Sequence, residues 1–271
     1  MIKQAIIPLA GLGTRLLPLT SVFPKELLPI NGKPGLEYIL DECIDAGVNE
    51  IIFIISNKKK LIKNYFYNDA FYKKIIKVKK DKRIESEYNK ILSLKKKIKF
   101  VYQNTPLGTG DAVLKTQKYI TGSHFLMLFP DDLIVNKNCS KDMIKLHKKY
   151  NCSVMASIKV KRKDVSRWGI YSIKKKINKR NFIIKDVIEK PKISKAPSSN
   201  AVIGRYILPK DIFKHLKNKM KGIGGEIHIT DSIREMIKKN HLFLGHNFAG
   251  KYLDCGTMKG YIKSSLDISK V

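Results

Sequence analysis

Long apolar runs are missing from this chain of 271 residues, and none approaches the roughly 18 residues that a membrane-spanning helix needs. The opening stretch MIKQAIIPLAG has no basic leader, long apolar segment or small-residue cleavage site, so the sequence reads as cytoplasmic, with no membrane partner. Cysteine is sparse. Cys43, Cys139, Cys152 and Cys255 offer neither a zinc-type spacing nor a CxxC pair, and buried free thiols are the expectation. His124, His147, His215, His228, His241 and His246 form no spaced cluster. No nucleophile and base of the hydrolase type pair up either, so covalent catalysis is not indicated. Arginine is scarce, 7 residues against 47 lysines, although the net charge is +31. Such a basic chain invites a nucleic-acid reading. Arginine, however, is the residue whose planar fork suits phosphates and bases, and a compositional bias toward Lys, Ile and Asn gives the same skew with no function attached. Nucleic acid is therefore disfavoured as a partner.

What is present describes an α/β protein. With 43% hydrophobic residues the chain can bury a substantial core. A short apolar run, Gln4 to Leu9, ends in a glycine loop. A helix-like pattern from Leu36 to Ala46 and a second run, Ile51 to Ile55, complete a βαβ rhythm. Further runs at Ile98 to Tyr102 and Phe125 to Phe129, with helical patterns at Ala112 to Tyr119 and Lys141 to Tyr150, predict a mostly parallel sheet covered by helices on both faces. Strand-like segments then crowd together at Val154 to Val160, Gly169 to Ile173, Phe182 to Ile188 and Ala201 to Ile207, and helices return at Asp211 to Lys219 and Ile229 to Lys239. Lys58 to Lys99 carries 16 Lys and Arg against 4 Asp and Glu, with no Pro or Gly. It predicts amphipathic helices with Phe66, Ile76, Ile84, Ile91 and Leu94 turned inward and a solvated basic face outward.

The chemistry concentrates first in AGLGTRLLPLTSVFPKELLP, Ala10 to Pro29. In parallel sheets, ligands bind beyond the carboxyl ends of strands, and a glycine-rich turn there lets backbone N–H groups approach a phosphate or base. The third glycine of GxGxxG is replaced by Leu16, and no GxxxxGK[ST] occurs, so neither the dinucleotide fingerprint nor a Walker loop is present. Gly11 and Gly13 alone would be an ordinary tight turn. Arg15 and Lys25 raise the loop above that, because a bidentate cation and a movable point charge beside one turn suit a triphosphate. Asp131 follows an apolar run, where a strand end would deliver a carboxylate, and Asp254 is a second candidate from a distant segment. Magnesium prefers one or two carboxylates together with substrate phosphates. Glu226 and Asp231 flank a helix start, where a capping role is as good a reading as ligand contact.

AGLGTR followed by PKELLP resembles the signature of nucleotide-sugar pyrophosphorylases, specifically the bacterial UTP-glucose-1-phosphate uridylyltransferases. The resemblance runs on, in order, through GTGDAV (Gly108 to Val113), FPDD (Phe129 to Asp132), WGIY (Trp168 to Tyr171), EKP (Glu189 to Pro191), GRY (Gly204 to Tyr206), GGEIHITDSI (Gly224 to Ile233) and LDCGT (Leu253 to Thr257). It implies a Rossmann-like, glycosyltransferase-A-like nucleotidyltransferase fold, a mixed, mostly parallel sheet flanked by helices with a smaller strand-rich sugar-binding part. It also implies one domain over 1–271, its nucleotide-binding part at 1–150 and its sugar-phosphate-binding part with the C-terminal helices at 151–271.

By that resemblance, UTP and glucose 1-phosphate are the substrates and Mg2+ the cofactor, held by Asp131 and Asp254. Arg15 and Lys25 are the catalytic cations. Ala10, Gly11, Gly13, Glu26, Gln103 and Gly108 bind the nucleotide, while Gly169, Glu189, Lys190 and Gly204 bind the sugar phosphate. A homo-oligomer, dimer or tetramer, is implied as well. Two alternatives remain open: a thymidylyltransferase acting on the same sugar phosphate, although that family usually begins GG where this chain has Ala10 and Gly11, and a basic nucleic-acid-binding protein on the same scaffold.

Overall fold

The computed structural model describes residues 2–217 and 225–269. Short apolar runs become strands and the amphipathic runs between them become helices. In chain order the elements are β1 (Gln4–Pro8), β2 (Pro29–Ile30), β3 (Lys33–Pro34), α1 (Gly35–Asp45) and β4 (Glu50–Ile55). The lysine-rich segment follows as α2 (Lys60–Tyr67), α3 (Asp69–Lys79) and α4 (Lys82–Lys95). Next come β5 (Ile98–Tyr102), α5 (Thr109–Leu114), β6 (His124–Leu128), β7 (Asp132–Val135), α6 (Cys139–Tyr150), β8 (Ser153–Lys159), β9 (Gly169–Lys176), β10 (Asn181–Glu189) and β11 (Asn200–Pro209). The chain finishes with α7 (Ile212–Lys217), α8 (Ile229–Lys238), β12 (Phe243–Asn247), β13 (Lys251–Asp254) and α9 (Met258–Ile268).

One sheet takes the strand order β5-β4-β1-β6-β11-β8-β12-β10-β9. From β5 to β6 the pairings are parallel, as the βαβ rhythm requires. Beyond β6 they are antiparallel except for β8 with β12, so the whole is a mixed α/β sheet. Successive residues of a strand face opposite sides, and the core divides accordingly. Ile51, Phe53 and Ile55 of β4 join α1, α2, α4 and α6 on one face, while Ile52 and Ile54 join α5, α7 and α8 on the other. The four cysteines are buried and unpaired. Among the described residues no helix is long and apolar enough to cross a membrane.

Several boundaries differ from expectation. The helix expected to reach Tyr119 stops at Leu114 and gives way to a single 3-10 turn at Gln117–Tyr119. The helix expected from Asp211 is α7, and its expected end, Lys219, lies outside the described residues. In the lysine-rich helices Phe66, Ile91 and Leu94 are buried as expected, but Ile76 and Ile84 are only half-buried. Strand β12 escaped the reading because its five residues contain Gly245 and His246. That glycine is required, since a Cβ there would lie 2.2 Å from the ring of Phe182 on the neighbouring strand.

Candidate active site

The carboxyl ends of β1, β5 and β6 open onto a common cleft. Chain order explains the arrangement: β1 runs into the glycine loop, Gln103 leaves β5 with its backbone N–H on Ile55, and Phe129 to Asp131 leave β6. The cleft has two adjoining halves. One, of about 440 Å³, is lined by Ala10, Gly11, Gly13, Lys25, Gln103 and Gly108 among others. The second, of about 300 Å³, is lined by Arg15, Gly169, Glu189, Gly204, Asp132 and Trp168 among others. Thr109 and Phe129 line both.

At the junction the charges gather. Lys25 Nζ lies 2.8 Å from Asp131 Oδ2, and Arg15 Nη2 lies 3.7 Å from the same oxygen. Gly256 marks the centre: a Cβ there would stand 2.8 Å from Asp131 Oδ2, 3.2 Å from Arg15 Nη2 and 3.3 Å from Asp254 Oδ1. Four residues from three distant stretches of sequence therefore converge on one point. Burial opposes the Lys25 charge, but the attraction of Asp131 and Glu26 outweighs it and raises the ammonium pKa. Burial likewise opposes the Asp131 charge, but Lys25 beside it holds the carboxyl below its ordinary range. Asp131 is thus ionised at neutral pH, and with Asp254 it offers the hard oxygen donors that suit a divalent ion such as magnesium.

The glycines of the first half have distinct reasons. Gly13 has φ +71° and sits against Thr20, whose hydroxyl donates to the Gly13 carbonyl at 2.9 Å. At Gly108, φ is +97° and a Cβ would fall 2.6 Å from the Ile227 carbonyl oxygen, so only glycine lets this turn lie against Glu226 and Ile227. Gln103 is buried, and its amide group donates to the Gly108 carbonyl at 3.1 Å and to Asp111 Oδ2 at 2.7 Å. Both amide hydrogens are spent, so a base placed here meets the Gln103 carbonyl oxygen as acceptor rather than a donor and acceptor side by side. Glu26 is also buried, and both its oxygens accept from Lys59 Nζ at 2.8 Å. Lys59 is itself buried, which depresses its pKa despite Glu26. One lysine of the basic segment therefore underpins the loop that carries Lys25 and Glu26 instead of facing solvent.

In the second half, Gly204 donates its N–H to Asp132 Oδ2 at 2.8 Å, and a Cβ there would lie 2.5 Å from that oxygen and from Phe129 Cβ. Gly169 backs onto Glu189, with a Cβ position 3.0 Å from Glu189 Oε2. Lys190 is exposed and lines neither half of the cleft. Its positive φ of 44° turns the chain at the end of β10, and its N–H bonds the Trp168 carbonyl.

These elements match one family. A family model described as Nucleotidyl transferase matches residues 4–271. The chain belongs to the nucleotidyl transferase family. A Mycoplasma pneumoniae protein named UTP–glucose-1-phosphate uridylyltransferase is 34% identical over 267 residues, 98% of this chain and 91% of that protein. A crystal structure of UDP-glucose pyrophosphorylase complexed with UDP-glucose superposes with a TM-score of 0.87 at 34% identity, covering 100% of this chain and 99% of that one. The UTP-bound UGPase from Acinetobacter baumannii gives a TM-score of 0.90 at 30% identity, covering 99% and 93%.

Some contributors to this nucleotidyl transferase cleft were not singled out by sequence reasoning. Arg205 is fully buried and pairs with Glu42. Its remaining donors hold the carbonyls of Phe129, Gly204 and Asp132, so the turn that carries Asp131 is fixed from behind. Asp132 is pushed up to about 6 by burial and by the Asp131 charge, and it accepts from the Tyr252 hydroxyl at 2.5 Å. Glu226 lines the first half, whereas Asp231 lines neither half. The signal for Arg205 is the GRY motif itself, whose arginine the fold sets behind the turn.

Proposed function

We propose that the chain joins UTP to glucose 1-phosphate, giving UDP-glucose and pyrophosphate. The observation that carries this reading is the meeting of Arg15, Lys25, Asp131 and Asp254 where the two halves of the cleft adjoin. Such a junction is where a triphosphate and a sugar phosphate must meet. The substrates named in the three relatives support uridine and glucose, and the thymidylyl alternative has less support.

In this reading uracil rests against Ala10 and Gly11, with the Gln103 carbonyl oxygen accepting from its N3–H and Gly108 closing the base site. Gly13 admits the triphosphate. Arg15 holds the β and γ phosphates and stabilises departing pyrophosphate, while Lys25 exchanges Asp131 for the α-phosphate and neutralises the charge that grows there. Glu26 acts by anchoring Lys59 beneath Lys25. Gly169, Gly204 and Glu189 fix the hexose, and Lys190, from the rim, steers its phosphate. That phosphate attacks the α-phosphorus in line with the leaving pyrophosphate, and being already anionic it needs no general base. A divalent cation, for which we propose magnesium on Asp131 and Asp254, supplies further neutralisation of phosphate charge when bound.

We assign the nucleotide part to residues 1–150 and the sugar-phosphate part with the C-terminal helices to 151–271. Exposed Ile262 and Leu266, one turn apart on α9, support a homo-oligomer, and four unpaired thiols support a reducing, cytoplasmic setting. The test is to mix the protein with UTP, magnesium and glucose 1-phosphate and to follow pyrophosphate and UDP-glucose. Equal release of both supports the reading, and no release of either contradicts it.

A further inference from the structure

The histidines that show no pattern in the sequence are gathered by the fold. Asp211 precedes α7 and His215 lies one turn further along it, so the two share a face. His241 follows α8. Its position is set by the helix end: Asn240 takes φ +66° and the His241 N–H bonds the Met236 carbonyl, a left-handed cap that turns the chain back. One ligand atom from each of Asp211, His215 and His241 lies within 4.8 Å of the other two, with His215 Nε2 3.9 Å from Asp211 Oδ2.

A second feature points the same way. His215 is 8% exposed, and its other ring nitrogen, Nδ1, lies 2.9 Å from Glu235 Oε1 on α8. A carboxylate taking the proton of Nδ1 fixes the tautomer that leaves Nε2 as a lone-pair donor, an arrangement typical of metal-binding imidazoles. The lysines nearby approach from the solvent side. Lys214 pairs with the other oxygen of Asp211, at 2.7 Å, and Lys239 pairs with Glu235 at 2.9 Å; both lysine side chains are exposed. Exposed pairs of this kind are weak and readily displaced.

We propose that Asp211, His215 and His241 form a three-ligand site for a zinc-class divalent ion, with Glu235 orienting the His215 ring. Two imidazoles and one carboxylate are a donor set for zinc or its transition-metal neighbours, not for magnesium, and three protein ligands leave a fourth position for water. The bound ion clamps the start of α7 to the end of α8. Because the first turn of α8 supplies Thr230 to the sugar half of the cleft, the clamp steadies one wall of that half from its far end. The site is independent of the cations and carboxylates around Asp131.

Titration of the full chain with Zn2+, and with Co2+ as a spectroscopic probe, tests this. The proposal expects one equivalent of Zn2+ that persists in Asp131→Asn, is bound at least tenfold more weakly by Asp211→Asn, and is lost in His241→Ala. That last change falls on an exposed residue the core does not need. Co2+ is expected to show the strong visible bands of a four-coordinate site in the parent chain and in Asp131→Asn but not in His241→Ala, and Zn2+ to raise the Tm of the parent but not of His241→Ala. No zinc binding by the parent chain, undiminished binding by His241→Ala, or loss of the zinc in Asp131→Asn would each overturn it.

Discussion

Removing the Lys25 ammonium, as in Lys25→Ala, is the sharpest perturbation of the proposed chemistry. At 2.8 Å from Asp131 in a largely buried setting, its gross attraction is about 6 kcal/mol at an effective dielectric near 20. Arg15, 3.7 Å from the same oxygen and with a side chain 67% exposed, gains only about 1 kcal/mol in water-like surroundings. Desolvation consumes much of the larger figure, but the ranking stands, and Lys25 is the cation held in place before substrate arrives. Loss of one such preorganised donor costs about 10² to 10³ in turnover, or roughly 3–4 kcal/mol. Pyrophosphate release from UTP and glucose 1-phosphate, measured at saturating substrate, should fall by that factor. The loss should appear mainly in kcat, because Lys25 meets charge that grows at the α-phosphate. Without Lys25, the Asp131 carboxyl should also lose much of its depression and titrate at higher pH. Near-native turnover in a folded Lys25→Ala protein would remove this residue from the mechanism.

Other changes follow from the same geometry. Gly204→Ala forces a methyl group to within 2.5 Å of Asp132 Oδ2 and Phe129, so a thermal or denaturant melt should show about 1–3 kcal/mol lost, together with a raised KM for glucose 1-phosphate. Asp131→Asn should move the magnesium titration of activity to concentrations higher by about tenfold or more, since one charge-assisted contact is worth about 1.5–3 kcal/mol. An unchanged titration would count against its role as a ligand. His124, beside His147 with ring centroids 4.5 Å apart, is lowered from 6.5 to about 4 by burial and then by its neighbour. Between those values the unfolded chain binds the extra proton, so stability is complete above pH 6.5 and declines as pH falls toward 4. After discounting for a half-exposed ring the loss is about 1–2 kcal/mol, and His124→Gln should flatten that part of the stability profile.

The sequence disclosed those parts of the fold that rest on local pattern. The apolar runs around Ile51 and Phe125 carry their strand signal within a few residues, and AGLGTR, FPDD and LDCGT lie close to the residues that line or face the cleft. What it concealed depends on distance. Lys59 looks like any lysine in a basic run until the fold sets it under Glu26, and Arg205 becomes legible only once Glu42 stands opposite it. Gln103 shows the same limit: nothing in the sequence says that Asp111 and the Gly108 carbonyl engage both its amide hydrogens. Strand β12 was hidden because its glycine serves a neighbour's aromatic ring, so tertiary packing overrode local propensity.

A crystal structure of the chain with UTP tests the account most directly. It should show the triphosphate between Arg15 and Lys25 with Asp131 alongside, and the uracil ring against Ala10 and Gly11 with its N3–H on the Gln103 carbonyl oxygen. A nucleotide bound elsewhere, or bound here with Lys25 still paired to Asp131 and touching no phosphate, would contradict it.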